Sequence, residues 1–137
     1  MANYYETART NYFRVTNEER YKELFNNLLS EDDIHDFTFT DKEGVTWHGF
    51  GSYGCIDYKV SEDDWNREIF FQEMQTILPD DEALIFMASG YEKLRYVTGY
   101  SIIVTNKDIQ YVDIVHDAIR KARIMLHNPE WNTKPDY

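Results

Sequence analysis

The sequence predicts a single α+β domain in which a mostly antiparallel sheet carries its helices on one face. Its length of 137 residues suits one compact core, and 42% of the residues are hydrophobic, far more than in a disordered acidic chain. Runs rich in β-branched and aromatic residues are joined by short turn signals, which favours hairpins over long crossovers. The expected element order is β-α-β-β-β-α-β-β-α.

The first two elements are expected near the N-terminus. Residues 12–15 alternate in the manner of a short strand, with Phe13 and Val15 on one face. Thr16 and Glu19 match a capping box, which predicts that a helix begins near residue 17. An apolar stripe at helical spacing extends this helix to about residue 29, and it consists of Tyr21, Leu24, Phe25, Leu28 and Leu29.

The middle of the chain predicts three strands and a second helix. Residues 36–41 and 45–51 form a hairpin whose turn ends at Gly44, a residue that takes a positive φ at little cost. Residues 55–60 are the third strand. A second helix is expected at about 62–77 and is ended by Pro79. Two motifs predict its start. Ser61 and Asp64 match a capping box, and Val60 and Trp65 match a hydrophobic staple.

The C-terminal part predicts a second hairpin and a third helix. Residues 83–89 and 94–105 are the two strands, and Gly99 marks a bulge or a close contact between elements. Helical spacing over residues 112–126 predicts the last helix, which ends at Asn128 and Pro129. Only the termini, residues 1–8 and 128–137, are expected to be loose.

The charge of the chain is strongly lopsided. The net charge is −11, and residues 1–82 hold 19 acidic and 7 basic side chains, a net of −12. Such a field repels phosphates and attracts basic surfaces, so we expect a basic protein partner and no direct contact with nucleic acid. The alternative without a binding role is that these acids are solvated loop and cap residues that keep the protein soluble. The candidate partner-binding residues form three acidic runs: Glu31, Asp32, Asp33 and Asp36; Glu62, Asp63 and Asp64; Asp80, Asp81 and Glu82.

Residues 49–54 match the pattern G-x-G-x-x-G, in which glycines let backbone amides approach a pyrophosphate. Neither a helix start nor a lysine follows, so we expect these glycines to allow a tight bend or bulge between strands. A small-ligand or enzyme site around residues 49–58 remains an alternative. No cofactor is expected.

The other candidate chemical groups also have simpler interpretations. Cys55 could pair as a thiolate with the imidazole of His48, His35, His116 or His127, but a lone cysteine is more often a small buried hydrophobe. Asp113, His116 and Asp117 have a spacing that can hold a metal, yet they fall where a helix begins and acids complement its dipole. We therefore expect neither catalysis nor a metal site.

A second contact region is the turn that holds Glu92, Lys93 and Arg95. It is either an exposed turn with weak ion pairs or a positive tip that touches a partner. The uncharged runs, of which residues 96–106 are one, are too short to cross a bilayer, and the N-terminus lacks an apolar signal core. These features predict a cytoplasmic protein that does not bind membranes.

Three segments resemble a family of small acidic proteins carried by plasmids, phages and integrative elements. They are residues 7–15 (TARTNYFRV), 48–54 (HGFGSYG) and 92–97 (EKLRYV). The resemblance implies an accessory gene of a mobile element. Such genes frequently blunt host defence, as acidic antirestriction and anti-CRISPR proteins do.

Together these observations predict a non-enzymatic, acidic protein-binding module that imitates DNA towards a host nucleic-acid-handling defence protein. A second hypothesis is a structural or assembly protein that forms a homo-oligomer, such as a homodimer, through exposed aromatics and strand edges. The third is the ligand-binding or enzymatic site around residues 49–58.

Overall fold

A six-stranded antiparallel sheet forms the centre of the protein in the computed structural model, which describes residues 4–94 and 96–132. In chain order the elements are β1 (Tyr5–Thr10), α1 (Glu18–Phe25), β2 (Leu28–Ser30), β3 (His35–Asp36), β4 (Phe39–Thr40), β5 (Thr46–Trp47), β6 (Phe50–Ser52), β7 (Ile56–Ser61), β8 (Asp64–Trp65), α2 (Arg67–Gln75), β9 (Leu84–Glu92), β10 (Tyr96–Val104), β11 (Ile109–Asp113) and α3 (Ile114–Met125).

The strands form three sheets in which each pair is antiparallel. The central sheet has the order β11-β10-β9-β1-β6-β3, the second has the order β2-β7-β8, and β4 pairs with β5. The predicted α+β class with a mostly antiparallel sheet is therefore confirmed. Several short strands add to the predicted order.

Strand β1 lies in the middle of the central sheet, so the expectation that residues 1–8 are loose is wrong for residues 5–8. Six consecutive residues of β1 pair with β9, and Ala8 and Arg9 pair with β6. The sequence does not predict this strand because two of its three buried positions, Glu6 and Thr10, are polar. The usual alternation of apolar and polar residues is therefore absent. The strand expected at residues 12–15 is reduced to a single bridge between Phe13 and His48. Residues 1–3 and 133–137 lie outside the described part.

The core lies between the central sheet and helices α1 and α2. Alternate residues of β9 and β10 point towards it, and the ring of Phe86 lies 5.5 Å from that of Phe71 on α2. Phe70 of α2 contacts both Phe50 of β6 and Tyr58 of β7, with ring centroids 5.8 and 5.5 Å apart. Helix α2 thus joins the central sheet to the second sheet.

The helices begin and end differently from the expectation. Asn17 and Asn66, not Thr16 and Ser61, accept the capping hydrogen bonds of α1 and α2. Residues 61–64 instead form the turn of the hairpin β7–β8, and Trp65 is exposed, so the predicted capping box and staple are wrong. Helix α1 stops at Phe25 because residues 28–30 leave it to pair with β7.

Both predicted hairpins are present. The turn between β4 and β5 has Gly44 at a φ of 83°, and β9 and β10 pair over nine residues. Strand β11 takes residues 109–113, so the last helix begins at Ile114 rather than near residue 112.

Helix α3 starts over the opposite face of the central sheet from α2. A Cβ added to Gly99, which alternates with the core-facing Tyr100, would lie 3.2 Å from the side chain of Ile114. The close contact predicted at Gly99 is therefore confirmed. Beyond α3, Nε of Arg123 donates a 2.7 Å hydrogen bond to the carbonyl of Trp131, so the C-terminal segment is tied to the helix as far as that residue.

Candidate functional site

The three acidic runs lie in connections between elements. Residues 31–36 lead from β2 into β3, residues 62–64 form the turn between β7 and β8, and residues 80–82 lead from α2 into β9. All ten side chains are exposed except that of Glu82, which is partly buried. Their surroundings nevertheless differ in a way that the sequence does not indicate.

The second sheet brings the first two runs into one structural unit. Strand β2 pairs antiparallel with β7, Leu28 opposite Tyr58 and Ser30 opposite Ile56. Residues 31–33 therefore extend from one end of this ladder, and residues 62–64 extend from the other. The five steps of β7 between these ends correspond to about 17 Å.

A further exposed carboxylate lies between the two runs. Asp57 is on β7, where it alternates with the buried Ile56 and Tyr58 and therefore points outward. Sequence reasoning missed Asp57 because it is isolated, although its position between two apolar residues of a predicted strand was a usable signal. We call the unit β2–β7–β8 with residues 31–33 the acidic sheet.

Carboxylates outnumber bases on the acidic sheet by seven to one. The acidic residues are Glu31, Asp32, Asp33, Asp57, Glu62, Asp63 and Asp64. Among them only Glu62 has a basic partner within the described residues, the Nζ atom of Lys59 at 3.6 Å. Both side chains of that pair are well exposed, so the pair is screened by water and neutralises the acidic sheet weakly.

The third acidic run is partly neutralised by a single arginine. Nε of Arg14 lies 2.7 Å from Oε2 of Glu82, and its Nη2 lies 3.0 Å from Oδ1 of Asp81. The bond to Glu82 is the main cause that raises the pKa of Arg14. Oδ1 of Asp80 accepts a hydrogen bond from Asn106. Residues 80–82 are therefore a poor contact surface for a basic partner.

Asp36 also stands apart from the acidic sheet. It lies on β3, at the edge of the central sheet, and its Oδ1 accepts a hydrogen bond from the backbone amide of Thr38. The structure thus groups six of the ten predicted contact residues, with Asp57 in addition, and leaves out four.

The glycines of residues 49–54 serve strand packing rather than a phosphate loop. Gly51 lies in β6 between β1 and β3, and a Cβ there would be 2.9 Å from the carbonyl oxygen of Ala8. None of these glycines has a positive φ, a conformation that among the described glycines only Gly44 adopts. The expected bend is present at residues 53–54, between β6 and β7, and Gly51 in addition allows a close approach between neighbouring strands.

Cys55 and His48 do not form a nucleophilic pair. Cys55 is exposed, contrary to the expectation of a buried hydrophobe. Partial desolvation of its thiol, together with the nearby Glu6, raises the pKa of Cys55 to about 11, which keeps the thiol protonated at neutral pH. The ring of His48 is engaged elsewhere, by Glu18 and Thr38.

The order of groups around His48 is carboxylate, imidazole and hydroxyl, an arrangement that can activate a hydroxyl group. Oε2 of Glu18 lies 2.7 Å from Nε2 of His48, and Oγ1 of Thr38 lies 3.0 Å from Nδ1. Neither Thr38 nor His48 lines the hollows of the central sheet described below. The imidazole is buried and joins three segments, which is a structural role.

The remaining candidate residues have local roles. Asp113 is the N-cap of α3 and accepts hydrogen bonds from the amides of Val115 and His116, while Asp117 accepts one from the amide of Asp113. The capping bonds are the main cause that lowers the pKa of Asp113. Within residues 4–94 and 96–132 no group of three or more metal-ligating side chains is found.

The turn between β9 and β10 contains Lys93 at a φ of 51° and the exposed Leu94. Glu92 ends β9 and is partly buried. Arg95, the other basic residue of the predicted tip, lies outside the described residues.

Comparison with known protein families, with curated protein sequences and with solved structures finds no match. Fold and surface therefore define the class: an α+β protein with antiparallel sheets and a separate acidic sheet. In the described part of the chain, none of the helices has the length and apolar character needed to span a membrane.

Proposed function

We propose that this protein is a non-enzymatic binding module whose acidic sheet engages the basic surface of a nucleic-acid-handling protein. The observation that carries the proposal is the grouping of seven exposed carboxylates with a single lysine on β2–β7–β8 and residues 31–33. Such a surface concentrates negative potential and speeds encounter with a cationic partner.

The dimensions of the acidic sheet suit imitation of a nucleic-acid strand. Phosphates recur about every 3.4 Å along the axis for one strand, so the ladder of about 17 Å between residues 31–33 and 62–64 corresponds to about five steps. Carboxylates stand at both ends of this ladder, and Asp57 stands between them. A groove built to neutralise phosphates would meet negative charge along its length.

The resemblance to proteins of mobile elements suggests the kind of partner. A host defence protein that handles nucleic acid has such a groove, and the two proteins would meet in the cytoplasm. Occupation of the groove by the acidic sheet would exclude DNA or RNA, and inhibition would need no chemical step.

The proposal is tested with two variants that remove the same charge. The first replaces Asp33, Asp63 and Asp64 by Asn on the acidic sheet. The control replaces Glu19, Glu43 and Glu130 by Gln, which are exposed acids elsewhere. None of these six carboxylates makes a hydrogen bond or ion pair with another side chain of the described residues.

The tagged proteins are used to capture partners from bacterial lysate at rising salt, and captured proteins are challenged with duplex DNA. We expect the unaltered protein and the Glu→Gln control to retain a basic protein that DNA displaces, and the Asp→Asn variant to lose at least about tenfold in affinity. Equal retention by both variants would contradict a role for the acidic sheet. Recovery of the protein alone would favour self-assembly instead.

A further inference from the structure

Among the described helices, none covers the second face of the central sheet except at the start of α3. Alternation along β1 turns Glu6, Ala8 and Thr10 towards the core and the intervening side chains away from it. The registers of β9, β10 and β11 continue this outward face. We call it the open face, and its exposed apolar or aromatic side chains, together with the first residue of α3, are Tyr5, Met87, Tyr91, Val97, Val112 and Ile114.

The open face carries almost no charge. On β1, β9, β10 and β11, Arg9 is the one charged residue among the described side chains that point outward at paired positions. Elsewhere the chain is densely charged, since 28% of its residues are Asp, Glu, Lys or Arg. Depletion of charge with enrichment of aromatic residues and methionine is typical of the centre of a protein interface.

The open face is concave. One hollow of about 360 Å³ is lined by residues that include Thr7, Met87 and Val112, and a second of about 210 Å³ includes Thr7, Arg9 and Phe37. Both hollows include Thr7 and Arg9 of the central strand β1, so they lie side by side on the sheet, and we call the two together the trough. A trough of this kind suits an inserted apolar element such as a helix.

Helix α3 ends in apolar side chains that no described residue of its own chain buries. None of its twelve residues is buried. At its C-terminal end Ile124, Met125 and Leu126 are 69%, 79% and 55% exposed. A helix of this length is marginal in water without tertiary packing, so α3 needs a surface to pack against.

The exposed area of the chain exceeds that of a compact monomer. The chain exposes 9363 Å², whereas area scaling gives about 7,500 Å² for a monomer of this mass. The difference is about 1,900 Å², and a stable interface needs only about 800 Å² from each partner.

We propose that a second copy of this chain covers the open face. The C-terminal end of α3 from each protomer packs into the trough of the other, which gives a symmetric dimer with two identical contacts. Charge favours this element as the bridge: residues 118–126 contain Arg120, Lys121 and Arg123 and no acid, in a chain of net charge −11. A positive helix end limits the repulsion between two acidic protomers. The dimer leaves the acidic sheet free and is independent of the proposed function.

The test uses one substitution in each half of the contact. Met125→Glu changes the helix end, and Val112→Glu changes the trough; both residues are exposed in the monomer, so folding is preserved. The matched control is Val60→Glu, because Val60 is 43% exposed and Val112 is 45% exposed. Circular dichroism confirms the fold, and sedimentation equilibrium measures the mass.

We expect the unaltered protein and Val60→Glu to be dimers at about 50 µM, and each of the other two variants to dissociate about 100-fold more readily, because a carboxylate would be buried in an apolar contact. An unaltered protein that stays monomeric at this concentration would overturn the proposal, as would an equal effect of Val60→Glu.

Mixing the two monomeric variants distinguishes helix-to-trough packing from other dimers. A heterodimer of Met125→Glu with Val112→Glu keeps one of the two contacts intact, whereas each homodimer has both contacts damaged. We therefore expect native mass spectrometry to detect the heterodimer in a mixture of variants that do not dimerise alone. A mixture that contains only monomers would overturn the packing of α3 against the open face.

Discussion

Oε2 of Glu18 lies 2.7 Å from Nε2 of His48, a ring that is almost fully buried. A carboxylate only accepts hydrogen bonds, so Nε2 carries a proton; in the neutral imidazole Nδ1 then accepts the bond from Oγ1 of Thr38 at 3.0 Å. The ring of Tyr21, tilted by 36° with its centroid 4.1 Å away, covers the imidazole. The start of α1, the segment before β4 and the segment before β6 are joined at this one side chain.

Replacement of Thr38 by Val tests this junction. The variant keeps the shape of the side chain but leaves Nδ1 of a buried imidazole without its donor, which we expect to lower the free energy of unfolding by about 1–2 kcal/mol. Urea denaturation measures the change. Thr40→Val is the control, since Thr40 is exposed, its hydroxyl bonds only that of Thr46, and the loss of this bond is expected to cost less than about 0.5 kcal/mol. Equal losses would contradict the role of the junction.

Asp41 makes the hairpin β4–β5 sensitive to acid. Its Oδ2 accepts a 2.9 Å hydrogen bond from Nε1 of Trp47, and its Oδ1 accepts bonds from the amides of Glu43 and Val45. The bond from Trp47 is the main cause that lowers the pKa of Asp41 below its ordinary value of 3.8. Ionised Asp41 therefore stabilises the folded hairpin fully at pH values above its ordinary pKa. This stabilisation is lost as the pH falls through the lower pKa that Asp41 has in the folded state.

Fluorescence of Trp47 measures this loss in a variant that carries Trp65→Phe and Trp131→Phe. We expect the emission to be constant from pH 7 to about 4 and to change below it, as the indole loses its acceptor. Asp41→Asn in the same background removes the titrating group, so its emission should not change in that range. A midpoint at or above the ordinary pKa of an aspartate would contradict the hydrogen bond.

Cys55 is expected to react slowly although it is exposed. Because its pKa is raised to about 11, roughly one thiol in a thousand is ionised at pH 8, against about a quarter for an ordinary cysteine. Iodoacetamide should modify the folded protein more than about 100-fold more slowly than the urea-unfolded protein at this pH. The rate should still rise between pH 9 and about 10. A plateau near pH 8.5 would show that neither burial nor Glu6 acts on the thiol.

The elements that the sequence predicted well are those with local signals. Gly44 and the turn after β9 identify both hairpins, because turn geometry restricts which residues fit. Strand β1 could not be predicted in the same way, because one of its buried positions is an acid, Glu6. The Glu6 carboxylate accepts hydrogen bonds from the hydroxyls of Tyr4 and of Tyr100, and Tyr100 is 94 positions away in the sequence. Leu28 and Leu29 fit the stripe of a helix, and only pairing with β7 shows that they form a strand.

The candidate site was predictable to a similar extent. Composition alone identifies the acidic runs, but their environment depends on partners distant in sequence. Arg14 neutralises Asp81 across 67 positions of the chain, and the register of β2 with β7 groups residues 31–33 with residues 62–64. Neither relationship has a local signal, because a salt bridge or a strand pairing follows from the whole topology.

Gly51 provides a test of how closely β6 packs against β1. A Cβ at this position would lie 2.9 Å from the carbonyl oxygen of Ala8 and 3.0 Å from Cβ of Arg9, so a strand would have to move. We expect Gly51→Ala to lower the free energy of unfolding by about 2–3 kcal/mol.

Gly44 is the control. No atom lies within 4 Å of a Cβ added there, and the positive φ alone disfavours a side chain, so Gly44→Ala should lower the free energy of unfolding by about 1 kcal/mol. Urea denaturation of the two variants compares these costs. If Gly51→Ala cost no more than Gly44→Ala, then β6 could separate from β1 easily, and the half of the trough that lies between these strands would not be a fixed surface.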